Sequence, residues 1–294
     1  MNEDLVKRSK VIINKAKGEV KIQGVQSSRW IGTVRKSLRV SMCQQGRIRQ
    51  DGSGIEFQHE ISEVNYSQIY DDMSGKKLDG SQVQLARTEE MEEVKKHKVY
   101  VKVPIQQCYD ETGKAPIGTR WVDINKGDDV NIEYRSRLVA QELKKYSVAE
   151  DLFAATPPLE AKKILFSMAV TEGIGYTYGQ KCNGMKIDFI DVRRAYFHAD
   201  ARRKVYVKLP PEDDEPGMCG MLLKSMYGTR DAAQNWEFEY TSFMEGAGFK
   251  RGTCTPCIFN HETNNLKAAI HGDDFTILGT SEDLNWFRTN SKSI

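Results

Sequence analysis

The sequence predicts an α+β fold on three observations. Two alternating segments, 119–124 and 134–140, are joined by turn-forming residues in the pattern of a β-hairpin. Segments 83–97, 156–172 and 231–245 repeat apolar residues at helical spacing. Two apolar segments, 185–192 and 267–279, read as buried strands, and each carries aspartates in a setting that disfavours them.

In chain order, residues 1–80 show little periodicity. They carry Gly- and Ser-rich patches such as Asp51-Gly-Ser-Gly54 and Ser74-Gly75, with room for a few short strands. Residues 1–50 hold twelve Lys or Arg against three acids, although the net charge of the whole chain is only +2. Such an arm can lie along a polyphosphate backbone or stand as a solvated leader, and both readings stay open. The boundaries expected are a basic, partly disordered linker over 1–80 and a folded domain over 81–294. The helix over 83–97 places Leu85, Met91 and Val94 on one side. A strand at 99–103 ends at Pro104, and the hairpin follows, with basic residues along it. Thr156-Pro-Pro-Leu-Glu160 has the chemistry of a helix start, and Leu159, Lys163, Phe166 and Val170 continue it to Gly173. Segment 203–209 alternates and stops at Pro210-Pro211. The helix over 231–245 has Ala232, Trp236, Tyr240 and Phe243 on one stripe. No internal repeat is visible.

A chain of 294 residues can form one large or two small domains with a real core. Its 39% hydrophobic and 29% charged residues are ordinary for a soluble protein. The first ten residues have no apolar signal-peptide core, and no apolar run reaches the length of a membrane span. An intracellular protein with reduced thiols and no membrane partner is expected. Cys254 and Cys257 have zinc or redox spacing, and His261 follows. No second Cys or His pair completes a closed four-ligand site, and Pro256 with Ile258-Phe259 reads as a turn entering a strand.

Asp191 follows Ile187, Phe189 and Ile190, while Asp273 and Asp274 lie between two apolar runs. Unpaired carboxylates in such surroundings are costly. Both sites are explained if they meet and share hard divalent cations, which take carboxylate and phosphate oxygens together. A Gly-Asp-Asp triplet alone is also a common hairpin turn. It gains weight from lying downstream of an Asp-bearing strand and an intervening helix. Asp188 competes with Asp191, but residues three apart on a strand face opposite sides, and Asp191 at the strand end is favoured.

Seven blocks then occur in order: Ala115-Pro-Ile-Gly-Thr-Arg-Trp-Val122, Tyr134-Arg-Ser-Arg-Leu-Val-Ala-Gln141, Asp151-Leu-Phe-Ala-Ala-Thr-Pro157, Ile190-Asp-Val-Arg-Arg-Ala-Tyr-Phe-His198, Val205-Tyr-Val-Lys-Leu-Pro210, Lys224-Ser-Met-Tyr-Gly228 and His271-Gly-Asp-Asp-Phe275. Together they resemble the reverse transcriptases of copia-type retrotransposons over roughly 80–290. The resemblance implies a right-hand polymerase: fingers and a palm of antiparallel sheet backed by helices, its core at about 185–280, with the thumb absent or truncated. It implies an RNA-directed DNA polymerase, part of a Pol polyprotein whose integrase and ribonuclease H have no visible counterpart here. Asp191, Asp273 and Asp274 resemble the catalytic carboxylates, which with the Val192 carbonyl hold two Mg²⁺, or Mn²⁺ in its place. Tyr196 resembles the aromatic gate that collides with a 2′-hydroxyl. Arg120, Lys126, Arg135 and Arg137 resemble a grip on the dNTP triphosphate. The implied partners are an RNA template, a DNA or RNA primer and dNTPs, in a cytoplasmic particle or the nucleus.

The chain departs from the family at two places. His271-Gly272 stands where a Tyr and a variable residue precede the aspartate pair. Asp231-Ala232-Ala233 stands where Gln-Ala-Pro is usual, so Asp231 would either repel a triphosphate or cap a helix. The competing functions are a degenerate remnant that only binds nucleic acid, an RNA-dependent RNA polymerase, which the bulk of Tyr196 opposes, and a zinc or thiol-redox protein.

Overall fold

In a computed structural model, residues 10–14, 19–23, 66–128, 130–142, 154–179 and 184–291 are described. Most of the basic arm and positions 151–153 of the third block lie outside the described residues. The described residues fall in two units: 10–14 and 19–23 in a smaller one, and those from 66 onward in a larger one. In the smaller unit, β1 (Lys10–Asn14) pairs antiparallel with β2 (Glu19–Gln23).

The larger unit is mixed α and β, with antiparallel sheets. Residues 66–79, expected in the linker, pack instead as part of it. Ile69, Leu78 and Val83 form a cluster with Tyr66 and Tyr134. The buried Asp71 carboxylate accepts from the amides of Met73, Ser74 and Asn125. Polar anchoring of this kind leaves no hydrophobic period to read.

Helix α1 (Gly80–Lys96) starts at Asp79, whose side chain accepts from the Ser81 and Gln82 amides at 2.9 and 3.2 Å. Its buried residues are Val83, Arg87, Glu90, Met91 and Val94, while Leu85, expected among them, is 64% exposed. The difference has a physical cause. Arg87 is buried against Asp123 at 2.7 Å and Glu212 at 3.2 Å, so partners far along the chain let a charge occupy the inner face.

β3 (Tyr100–Pro104), β7 (Tyr206–Val207) and β8 (Met218–Leu222) form one sheet in the order β3-β8-β7, and α2 (Ile105–Thr112) follows β3. The strand expected at 203–209 shrinks to the two residues of β7. β4 (Thr119–Asn125) and β5 (Tyr134–Ala140) form the expected hairpin, with Thr119 opposite Ala140 and Asn125 opposite Tyr134. Its Leu138 and Ser136 are buried on the face toward α1.

The third sheet runs β6-β12-β11-β10-β9, antiparallel throughout. Its strands are β6 (Lys186–Asp191), β9 (Lys250–Arg251), β10 (Ile258–His261), β11 (Leu266–His271) and β12 (Asp274–Gly279). The inner strands are covered on both faces, which accounts for their unbroken apolar runs. On one side Ala268, Ile270, Phe275 and Ile277 meet α4 (Ala232–Gly246) and α5 (Ser281–Asn290) through Trp236, Tyr240, Met244, Leu284 and Phe287. On the other, Ala269 and Leu278 meet Leu165 of α3 (Leu159–Val170). α3 therefore packs through Ala161 and Leu165, whereas Leu159 is 64% exposed. No helix among the described residues is long and apolar enough to cross a membrane.

Gly228 joins the hairpin to the turn before α4. The Ala140 amide donates to the Tyr227 carbonyl at 2.7 Å, and a Cβ on Gly228 would stand 1.9 Å from the Ala140 carbonyl oxygen, at φ +84°. Gly228→Ala is expected to destabilise the domain by about 3 kcal/mol. A denaturation midpoint equal to wild type would show that the turn yields freely.

Candidate metal centre

Antiparallel pairing of β6 with β12 sets Asp191 directly opposite Asp274 at the open end of both strands. Paired residues project to the same face, so two distant carboxylates become neighbours. Asp273 sits in the two-residue turn between β11 and β12. Gly272 opens that turn at φ +63°, a conformation glycine adopts without strain. The turn is held from both sides. The Val192 amide donates to the Asp273 carbonyl at 2.9 Å, and Trp236 Nε1 donates to the Gly272 carbonyl at 2.8 Å.

As a result, oxygens of Asp191, Asp273 and Asp274 lie within 4.8 Å of one another, all exposed, with no other such cluster among the described residues. Partial desolvation at the strand end raises the Asp274 carboxyl above its usual range, Asp273 and then Asp191 add to the shift, and Lys162 of α3 opposes it. Three exposed carboxylates and no sulfur or imidazole suit a hard divalent cation, which would displace the proton that this repulsion favours. Asp188 lies elsewhere. It faces Arg288 of α5 at 2.5 Å and is not in the cluster. Trp236→Phe keeps an aromatic ring, though a smaller one, and removes the donor to the turn, so Mn²⁺ affinity at the cluster is expected to fall about tenfold. An unchanged affinity in an Mn²⁺ titration would mean that the turn needs no support from α4.

The hairpin brings cations to the same region. Arg135 and Arg137 stand two apart on β5, opposite Ile124 and Val122. Arg137 stacks its guanidinium 4.7 Å from the Tyr227 ring, and its buried Nε has no hydrogen-bond partner among the described residues. Burial lowers the Arg135 pKa, and the charge of Arg137 lowers it further. At the hairpin tip, desolvation lowers Lys126, followed by the charges of Arg135 and Arg137, while Glu133 and Asp191 favour its charge. Three mutually repelling cations, one within the field of Asp191, would be relieved by a polyanion. Arg120 is engaged elsewhere, paired with Asp72 at 3.0 Å.

Tyr196 lies in a 3-10 turn, Ala195–Phe197, just after β6. Its ring is 4.9 Å from that of Tyr227. Burial raises its hydroxyl pKa, and the charge of Asp273 adds to the shift. Burial pushes Tyr227 up to about 12. Tyr227, in contact with both Tyr196 and Arg137, has no role of its own in the sequence reading; its signal is its place in the block Lys224-Ser-Met-Tyr-Gly228.

The departures resolve locally. His271 is exposed and pairs with Asp274 across the turn. Asp231 occupies the N-cap position of α4, but its side chain makes no capping bond, contrary to one expectation. It is buried instead, accepting from Arg203 at 2.9 Å and from Asn235 at 3.1 Å. Burial alone would raise its pKa, but Arg203 and Asn235 hold it below the usual range. Its carboxylate is thus turned into the fold, onto a guanidinium that Glu142 shares at 2.5 Å. Cys257 is buried and Cys254 exposed, both free. Both ring nitrogens of His261 are occupied, by the Ala247 carbonyl and the Asn264 amide, so these three residues do not assemble a metal site.

The family described as "Reverse transcriptase (RNA-dependent DNA polymerase)" matches residues 98–292. The chain is 26% identical over 214 residues to the "Retrovirus-related Pol polyprotein from transposon TNT 1-94" of Nicotiana tabacum, covering 69% of this chain and 15% of that protein. It is 22% identical over 175 residues to the "Retrovirus-related Pol polyprotein from transposon RE1" of Arabidopsis thaliana, covering 57% and 11%. It is 26% identical over 104 residues to the "Truncated transposon Ty1-A Gag-Pol polyprotein" of Saccharomyces cerevisiae, covering 35% and 8%. The chain therefore spans 15% or less of the length of these relatives.

Proposed function

Because the chain belongs to the reverse transcriptase (RNA-dependent DNA polymerase) family, of the copia-type retrotransposon kind, we propose that it extends a primer with dNTPs along an RNA template. The observation that carries this reading is the convergence of Asp191, Asp273 and Asp274 within 4.8 Å at an exposed strand end. In this reading the five-stranded sheet with its helices is the palm, and the β4–β5 hairpin belongs to the fingers.

The three carboxylates, with the Val192 peptide beside them, would hold two Mg²⁺. Such ions, when bound, activate a primer 3′-hydroxyl and neutralise charge on the α-phosphate and the departing pyrophosphate. The 3′-hydroxyl would give its proton to solvent, and its oxygen would bond to the α-phosphorus as the bond from that phosphorus to the α–β bridging oxygen breaks and pyrophosphate leaves. Lys126, Arg135 and Arg137 would bind the triphosphate through their positive charges. Arg120, held by Asp72, is left out of that grip. Tyr196 would close the space beneath the sugar. The burial of Asp231 against Arg203 and Asn235, which turns its carboxylate into the fold, supports retained activity despite the Gln-to-Asp departure.

The test is incorporation of labelled dNTP on an RNA template with a DNA primer in Mg²⁺. Template-dependent extension is expected. Salt-sensitive binding of the duplex without extension would favour the alternative of a remnant that only binds nucleic acid.

A further inference from the structure

Helix α1 precedes the region matched by the family, yet its Glu90 meets Arg194, in the stretch of chain between Asp191 and Tyr196. Glu90 is 2% exposed. Its Oε2 accepts from Arg194 Nε at 2.9 Å, while its buried Oε1 has no hydrogen-bond partner among the described residues. A half-satisfied buried carboxylate is unfavourable, so packing alone does not explain it.

Its partner is unusual too. Arg194 stands at φ +53°, ψ +43°, a left-handed conformation that long side chains rarely adopt. Glu89 and Glu93 lie 3.5 and 4.0 Å from its guanidinium. Its carbonyl accepts the Phe197 amide at 2.8 Å, so Arg194 opens the 3-10 turn that carries Tyr196. The strained residue therefore falls between Asp191 and Tyr196, in the stretch of chain that sets their separation. Glu90 also favours the charge of Arg135 and helps raise Tyr227, which places it among the turn, the hairpin and the aromatic pair.

We propose that Glu90 and Arg194 are positioning residues that fix the gap between Tyr196 and the acidic cluster, and so tune selection against the 2′-hydroxyl without touching substrate. Glu90 holds Arg194, and Arg194 holds the left-handed turn. The activity arm of the test rests on the polymerase reading above; a second arm does not.

In the first arm, kcat/KM is measured for dNTP and rNTP with wild type, Arg194→Gly and Glu90→Gln. Glycine accepts the left-handed backbone but cuts the tether, and glutamine keeps the shape but removes the charge. Glu92→Gln, exposed on the same helix, is the control. The dNTP-to-rNTP ratio is expected to fall about tenfold in Arg194→Gly, and in the same direction in Glu90→Gln. A merely structural role would lower both activities together and leave the ratio unmoved. An unmoved ratio with active wild type overturns the proposal and leaves the polymerase reading standing.

In the second arm, Tb³⁺ is titrated into the protein alone, and emission sensitised by tyrosine is recorded. The portion lost in Tyr196→Phe reports how close that ring stands to the bound cation. Arg194→Gly is expected to reduce this portion several-fold at saturation. If wild type fails to extend primers yet this loss is seen, the polymerase reading falls and the positioning role stands. If the portion is unchanged, or absent in wild type, the positioning role is overturned.

Discussion

Asp273→Asn is expected to reduce primer extension by about a thousandfold or more, a loss of roughly 4 kcal/mol of transition-state stabilisation. Asparagine is nearly the same size and can preserve the turn, because the contacts that hold Asp273 in place run through its backbone carbonyl and that of Gly272. Only the charge facing Asp191 and Asp274 is removed. Asp191→Asn should behave likewise. Asp188→Asn provides the contrast within the same strand. It weakens a partly buried ion pair with Arg288, so some stability is lost but extension persists. Loss of extension in Asp188→Asn with retention in Asp191→Asn, each scored on folded protein, would invert the assignment.

Tyr196→Val is expected to raise ribonucleotide incorporation relative to deoxynucleotide by about a hundredfold, because a ring that fills the space below the sugar is replaced by a smaller side chain. The phenolic hydroxyl is not the discriminating feature in this account, so Tyr196→Phe should retain selection. Tyr227 backs the Tyr196 ring at 4.9 Å, and Arg137 stacks on Tyr227 at 4.7 Å. Trimming Tyr196 should therefore also loosen Arg137 and raise the KM for dNTP modestly. Sugar selection unchanged in Tyr196→Val would remove Tyr196 from the sugar edge.

The sequence displayed the local features well. Helical spacing around Trp236 and Tyr240, the alternation of β4 and β5, and the apolar runs of β11 and β12 each reflect a short-range period, and each element is present. Features set by distant partners were not legible in that way. The register that places Asp191 opposite Asp274 depends on pairing between segments far apart in the chain. Arg87 and Glu90 look like solvated charges on a polar helix until Asp123 and Arg194 are seen beside them. The carboxylate of Asp231 meets Arg203, 28 positions earlier, and makes no capping bond. Residues 66–79 pack through Asp71 and a few apolar contacts that leave no period.

Binding of Mn²⁺ in the presence of a chain-terminated primer, an RNA template and the next dNTP, followed by electron paramagnetic resonance, tests the metal centre most directly. The account predicts two spin-coupled Mn²⁺ ions per chain in wild type and loss of the coupled signal in Asp273→Asn. Two magnetically isolated ions, or a coupled pair that survives Asp273→Asn, would contradict a two-metal centre at Asp191, Asp273 and Asp274.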